Sequence, residues 1–286
     1  MRSRLLRGIL PLVLATSTAL AADKGRTELA RSLTLHASFD GGFNADYTRG
    51  DGTLYLAGGG TSGEAKESDT LKLTRDGGRF GGALHVIKKN PVRPYYKGPG
   101  VLDYKPANWS GTVSVWLRLS PDEDLEPGYC DPVQIVGGDG KKGFIFLEWS
   151  KDETPRHFRY AIRPLNEIWN PNNLDWAKMT DAQRPMVQVK SVPFARTRWT
   201  HVVFTFDRIN AGKAGVGTLY IDGKPQGSIK NWDLTFGWEA EKVQLVLAAA
   251  YVGHMDDLAV FDRALNDRDV TQLYQLPGGV ADLRKR

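Results

Sequence analysis

The chain holds 286 residues, 41% of them hydrophobic, 25% charged and 10% aromatic, a composition that excludes a disordered, collagen-like or coiled-coil chain. The length admits one large β domain of about 200–250 residues as readily as two smaller ones. The formal charge is +5, yet setting aside Arg2, Arg4 and Arg7 leaves 35 of the 38 basic residues against 33 acidic ones, a net of +2 with no long single-sign run. Nucleic acid is therefore not expected as a partner.

The opening segment reads as an export signal. A positive head leads through the apolar stretch Gly8 to Leu20 into Ala19-Leu20-Ala21, a pattern that signal peptidase accepts. About 13 apolar residues fall short of the roughly 20 that a membrane-spanning helix needs. The expectation is a signal peptide over 1–21 cut after Ala21, a lead-in over 22–32, and a periplasmic or extracellular protein with no membrane span once the signal is removed. Cys130 is the only cysteine, so no intramolecular disulfide can form. Its turn-like setting, with no histidine close in sequence, favours a buried filler over a nucleophile.

Short alternating or wholly apolar runs closed by Gly, Pro, Asn or Asp then recur along the chain, the pattern of an all-β sandwich. Strands are expected at Leu33–Phe39, Leu71–Leu73, Ala83–Ile87, Thr112–Leu119, Val133–Val136, Phe144–Trp149 and His157–Arg163. Five more are expected at Met186–Ser191, Trp199–Phe206, Val216–Ile221, Val243–Tyr251 and Met255–Phe261. No self-similarity at 20 to 50 residues suggests a propeller or solenoid. Asn266 is placed to cap a helix through Val270, Leu273 and Tyr274, stopped by Pro277-Gly278-Gly279. A second short helix is expected within Leu174–Arg184. One domain over 33–276 with a tail over 277–286 accounts for the pattern.

Alternation divides two strands by face. Val113, Val115, Leu117 and Leu119 suit a core, leaving Ser114, Trp116 and Arg118 on the other side; Val202, Phe204 and Phe206 leave Trp199, His201 and Thr205 opposite. That aromatic and polar surface suits a ligand cleft or a face covered by a loop. Between strands, Pro164 to Pro185 gathers Asn166, Glu167, Trp169, Asn170, Asn172, Asn173, Asp175 and Trp176. Aromatic rings stack on pyranose faces while amides and carboxylates bond hydroxyls, so Trp169, Trp176, Asn166 and Asn173 are candidate ligand-binding residues. The alternative is a self-packed loop whose tryptophans cover the sandwich. Tyr95, Tyr96, Tyr104 and Trp109, set among prolines, suit the same cleft or an extended segment pinned against a sheet.

Several motifs in order resemble a known family. They are Leu33-Thr34-Leu35-His36-Ala37-Ser38-Phe39-Asp40-Gly41, Phe80-Gly81-Gly82-Ala83-Leu84-His85-Val86 and Gly111-Thr112-Val113-Ser114-Val115-Trp116-Leu117. Later come Trp199 to Asp207, Gly217-Thr218-Leu219-Tyr220-Ile221-Asp222-Gly223, and Gly253-His254-Met255-Asp256-Asp257-Leu258 running on to Leu265. Over Leu33 to Leu276 the chain is similar to the laminin G-like jelly roll of the concanavalin A-like lectin and glucanase superfamily. The resemblance implies an all-β fold, a single jelly-roll sandwich of two antiparallel sheets with a short C-terminal helix, its first and last strands neighbours. It also implies a structural calcium ion near the opening and closing acids, here Asp40 and Asp257 with Asp256. Calcium wants six to eight oxygens; a salt bridge or turn hydrogen bond is the alternative for Asp257, which alternation places beside Met255, Ala259 and Phe261.

Catalytic motifs of that superfamily are incomplete. The glucanase E-x-D-x-x-E is met only by Glu67-x-Asp69-x-x-Lys72, whose lysine cannot serve as the second carboxyl of a pair that must flank one glycosidic bond. Arg26-Thr27-Glu28-Leu29 matches a piece of the jelly-roll alginate lyase pattern but precedes the sandwich, and no Gln-x-His follows. Tyr95-Tyr96-Lys97 alone makes no site. The five histidines are scattered without H-E-x-x-H, and Gly58-Gly59-Gly60 lacks the lysine of a phosphate loop. The expected function is a secreted, noncatalytic, lectin-like module with a carbohydrate or glycosylated surface as partner. The alternatives are a protein-interaction module, and a polysaccharide-cleaving enzyme using Glu148, Arg159, Arg163 and His201 on one sheet face.

Overall fold

A computed structural model describes residues 24–285; the expected signal peptide lies outside them. After helix α1 (24–32) the chain runs through β1 (Leu33–Ala37), β2 (Tyr47–Thr48), β3 (Tyr55–Gly58), β4 (Thr61–Glu64), β5 (Leu71–Thr74), β6 (Ala83–Val86), β7 (Arg93–Lys97) and β8 (Trp109–Arg118). Next come α2 (Pro121–Asp124), β9 (Asp131–Val136), β10 (Phe144–Trp149), β11 (Phe158–Arg163), α3 (Asn166–Trp169), β12 (Met186–Val189) and β13 (Thr200–Ile209). The chain closes with β14 (Val216–Ile221), β15 (Lys224–Ile229), β16 (Gln244–Ala249), β17 (Gly253–Phe261) and α4 (Asp267–Tyr274).

Among the described residues these strands form two antiparallel sheets. The nine-stranded sheet runs β15-β14-β13-β8-β17-β1-β2, with β6 also paired to β17 and β5 to β6. The eight-stranded sheet runs β12-β11-β10-β9-β16-β7-β3-β4. The first and last strands are neighbours, with Leu33 opposite Phe261 and Ala37 opposite Leu258. Each sheet turns one side of its alternation inward: Val113, Val115, Leu117, Val202, Phe204 and Phe206 from one meet Ile145, Leu147, Trp149, Phe158, Tyr160 and Ile162 from the other. Burial of this apolar set drives the sandwich together.

The outer side of the nine-stranded sheet is also buried. Leu29, Leu33, Val203, Tyr220, Ala259 and Phe261 pack with Val270 and Leu273 of α4 and with Val280 and Leu283. The expected tail thus ends in a short 3-10 helix, Gly279–Arg284, laid against the sheet. α4 starts in a capping box in which the Asn266 side chain accepts from the Asp269 N–H and Asp269 answers at the Asn266 N–H. The second helix expected in Leu174–Arg184 resolves into two short 3-10 turns, Trp176–Lys178 and Asp181–Gln183. Among the described residues no helix is long and apolar enough to cross a membrane.

Candidate functional site

The two outer sheet surfaces differ. That of the nine-stranded sheet is closed: Trp116 is 4% and His201 1% exposed, with Trp116 stacked on Tyr274 of α4 at 5.6 Å and His201 on Tyr274 at 5.8 Å. The expected cleft at Ser114, Trp116 and His201 is therefore filled by helix. His201 Nε2 meets Ser114 Oγ at 2.8 Å, its Nδ1 has no partner, and burial pushes its pKa down to about 3. It is a neutral structural imidazole.

The eight-stranded sheet keeps a polar outer face that register assembles from distant segments. In β10, Phe144, Phe146 and Glu148 point outward; in β11, Arg159, Ala161 and Arg163 do so, and the pairs Phe144–Arg163, Phe146–Ala161 and Glu148–Arg159 stand opposite one another. One cross-strand row joins Tyr55, Tyr95, Val246, Gln134 and Phe146. A second, parallel row joins Lys97, Gln244, Val136, Phe144 and Arg163. Every member of the second row reaches solvent at least in part. Five adjacent strands at about 4.8 Å spacing make each row about 19 Å long.

The polar part of this face is tightly bonded. Arg159, 3% exposed, donates from Nη1 to Glu148 at 3.1 Å, from Nη2 to Glu153 at 2.9 Å and from Nε to Gln188 at 2.7 Å. Phe146 faces Gln134 of β9 but Trp149 bridges Cys130, so the five residues Cys130–Gln134 oppose the four residues Phe146–Trp149. This bulge turns both Cys130 and Val133 into the core and leaves Asp131 to accept from Gln134 Nε2 at 2.6 Å. Burial pushes the Asp131 and Glu148 carboxyls up; the charge of Glu148 adds to the effect on Asp131, while Arg159 opposes it at Glu148. Cys130 is buried, and burial raises its thiol as well, as suits a filler.

The 164–185 excursion folds over the β10–β11 end of the face. Trp176 meets Phe146 edge-on at 5.9 Å, and Trp169 meets Trp176 at 5.9 Å. The Arg163 guanidinium lies 4.8, 5.1, 5.8 and 5.3 Å from the rings of Phe144, Phe146, Trp169 and Trp176. Asn166 and Asn173 meet at 3.4 Å. The four candidates from this loop therefore cluster, the tryptophans covering part of the sheet while remaining half-buried themselves. Asn170, 5% exposed, ties the loop through paired bonds to the Leu174 backbone, both at 2.9 Å; one asparagine among several carried no local mark of that role. At the far end Tyr55 and Tyr95 stack at 5.6 Å, with Lys97 4.4 Å over Tyr55. Tyr96, Tyr104 and Trp109 belong instead to the core.

Of the four residues proposed to share one enzymatic face, Glu148, Arg159 and Arg163 do so. His201 does not, because β13 belongs to the other sheet.

The expected calcium ligands are turned to other partners. Asp40 Oδ1 accepts from the Gly82 N–H at 2.5 Å, and Asp256 Oδ2 accepts from Arg79 and Phe80 N–H groups at 2.5 and 2.9 Å, so these acids hold the 75–82 loop. A β-bulge between Asp256 and Ala259, with Asp257 at φ 50°, breaks the expected alternation: Met255 faces the main core, while Ala259 and Phe261 face the helix side. Asp257 bonds His36 Nε2 at 2.8 Å and the Val280 N–H at 3.0 Å. N–H donors thus engage oxygens of all three acids, while Asp256 Oδ1 is buried without a partner; a calcium ion there would need six to eight converging oxygens. Among the described residues no group of three or more His, Cys, Asp or Glu side chains is arranged to hold a metal.

No curated protein sequence matches the chain. Among solved structures, domain 4 of AbnA, a GH43 extracellular arabinanase from Geobacillus stearothermophilus in complex with arabinotriose, is similar over 85% of this chain and 98% of that one, at 18% identity and a TM-score of 0.53. The ligand-binding domain of botulinum neurotoxin serotype D in complex with N-acetylneuraminic acid is similar over 88% of this chain and 52% of that one, at 12% identity and a TM-score of 0.55. The present chain thus spans about half of the toxin domain. At such identities the likeness establishes the fold. A sequence family described as the concanavalin A-like lectin/glucanases superfamily matches residues 101–271. With that match over more than half its length, and with two antiparallel sheets whose first and last strands are neighbours as expected, the chain belongs to the concanavalin A-like lectin/glucanase superfamily.

Proposed function

We propose that the protein is an exported, noncatalytic carbohydrate-binding module whose glycan lies along the outer face of the eight-stranded sheet. The observation that carries this reading is the solvent-reaching row Lys97, Gln244, Val136, Phe144, Arg163, bounded by Tyr55 and Tyr95 at one end and by Trp169 and Trp176 at the other. A span of about 19 Å accommodates several sugar units, with rings for stacking at both ends and amide and cationic donors between them. The sugar-bound structures of similar fold, one with arabinotriose and one with N-acetylneuraminic acid, support the class of ligand. Absence of a complete catalytic motif in the sequence supports a binding role.

Affinity electrophoresis of the purified protein through gels containing neutral, acidic and sulfated polysaccharides tests the reading. Retardation is expected in at least one gel, weakened by Tyr95→Ala and by Phe144→Ala without a change in melting. Uniform mobility in all gels refutes it.

One observation favours a second reading, a protein-interaction module. Ile168 and Leu174, 38% and 46% exposed, are the exposed large hydrophobics of the described residues, and both lie in the 164–185 excursion. If Ile168→Ser/Leu174→Ser abolishes binding to a glycoprotein surface while free glycans are not bound at all, the interaction reading replaces the first.

A further inference from the structure

Arg163, half-buried, stands apart from the buried arginines around it. Arg159 satisfies all three of its nitrogens with side-chain oxygens. Arg156, 8% exposed, donates to the backbone carbonyls of Leu125, Glu126, Gly128 and Ser150. Arg163 makes no hydrogen bond or ion pair among the described residues: its contacts are four aromatic rings, and its Nε is buried without an acceptor. A guanidinium is permanently charged and carries five donors, so one held without acceptors is an unmet demand for negative oxygen.

The neighbourhood has the same bias. Trp176 Nε1 and Arg184 Nε are likewise buried N–H donors with no partner, and the Arg184 guanidinium lies 5.1 Å over the Trp176 ring. Three orphaned donors therefore gather about one aromatic cluster, against a single orphaned acceptor on this face, Asp131 Oδ1. The turn leading into Phe144 adds exposed Lys141 and Lys142. The carboxyls that act on Arg163 through space are Glu148 and Asp131. Glu148 is already tied to Arg159 and Asp131 to Gln134, and neither lies within hydrogen-bond or ion-pair reach of Arg163, so neither supplies the missing acceptor.

We infer that Arg163, framed by Phe144, Phe146, Trp169 and Trp176, is a subsite for an acidic group, carboxylate or sulfate, on the bound glycan. This rests on the carbohydrate-binding reading and narrows it to charged saccharides. The planar fork suits two oxygens of one anionic group, while the flanking tryptophans offer faces for the ring that bears it.

Two matched pairs of ligands separate charge from backbone and carboxylate from sulfate: polygalacturonate with its methyl-esterified form, and a sulfated galactan with its desulfated form. Calorimetry on the full protein is expected to show about a tenfold or greater preference for the charged member of one pair, the scale of a charged hydrogen bond. Arg163→Gln erases that preference, and Arg163→Lys lowers it severalfold because the fork is lost. Equal affinity for both members of each pair, in the unaltered protein, overturns the subsite whether or not the variants fold. So does a preference that survives Arg163→Gln. If glycans bind without regard to charge, the carbohydrate reading stands and the subsite falls; if no glycan binds, the reading falls and the subsite with it.

Discussion

Acid should weaken this fold through one buried imidazole, and the size of the effect follows from its surroundings. His201 is 1% exposed and burial holds its pKa at about 3, whereas in the unfolded chain a histidine titrates near 6.5. A depressed folded-state value means that between these limits the unfolded chain binds the proton and the native one does not. The contribution is thus fully present above about pH 6.5 and drains away as pH falls towards 3. At pH 4.5 the unfolded histidine is two units below its pKa, which at 1.36 kcal/mol per unit costs the native state about 2.7 kcal/mol. That is a large share of a typical 5–15 kcal/mol. The clean comparison is Ser114→Ala/His201→Phe, which removes the titrating ring and its hydroxyl partner together while keeping an aromatic against Trp116 and Tyr274. Urea unfolding of both proteins at pH 7.5 and 4.5 should show the stability difference moving by about 2–3 kcal/mol in favour of the variant at the lower pH. Other groups, among them His254, which burial pushes down to about 4, titrate in both proteins and cancel. If the difference stays constant within about 0.5 kcal/mol, His201 is not the source of acid sensitivity and the reasoning from its burial is wrong.

Two further changes probe the scaffold. Arg159→Met removes the partner of Glu148, whose carboxyl burial already raises to about 7 against the opposing pull of Arg159; without that pull the carboxyl stays protonated further into the alkaline range, so the loss of stability should grow by about 1–3 kcal/mol as the pH rises from 6 to 9, and a pH-independent loss in denaturant unfolding would contradict this. Gly137→Ala puts a Cβ 2.2 Å from Trp238 Cγ, a ring packed against Trp109 and Phe236, and should cost about 1–3 kcal/mol of overpacking, read as a lowered Tm.

Strands that read as short, largely apolar runs closed by turn residues were legible from sequence: Phe144–Trp149 and Val216–Ile221 appear with the expected bounds. β7 was hidden by Pro94, which withholds an N–H yet sits opposite Leu56 inside the sheet. β15, with Pro225 and a mostly polar sequence, is an edge strand that turns only Ile229 into the core and so has no alternating face to advertise itself. Met255 was misplaced on the face of Asp257, Ala259 and Phe261 because a bulge changes phase without changing composition. The candidate site was harder still. Tyr55, Tyr95, Gln134, Phe146 and Val246 form one row only through pairings between remote strands, and no local pattern encodes a register set by the closure of the whole sheet. The cluster of Trp169, Trp176, Asn166 and Asn173 was visible as composition, but the guanidinium it surrounds comes from the preceding strand.

The order of strands also dictates when the molecule can exist. β17 lies between β8 and β1, and β16 between β9 and β7, so the middle of each sheet is supplied by residues 244–261, after nearly all other strands have been made. Until those residues arrive, each half-built sheet carries raw inner edges, the very surfaces on which chains aggregate. Assembly must therefore wait and then proceed at once, with long loops closed late in the process. A chain cut short before Gln244 would be left with two broken sheets rather than a smaller sandwich.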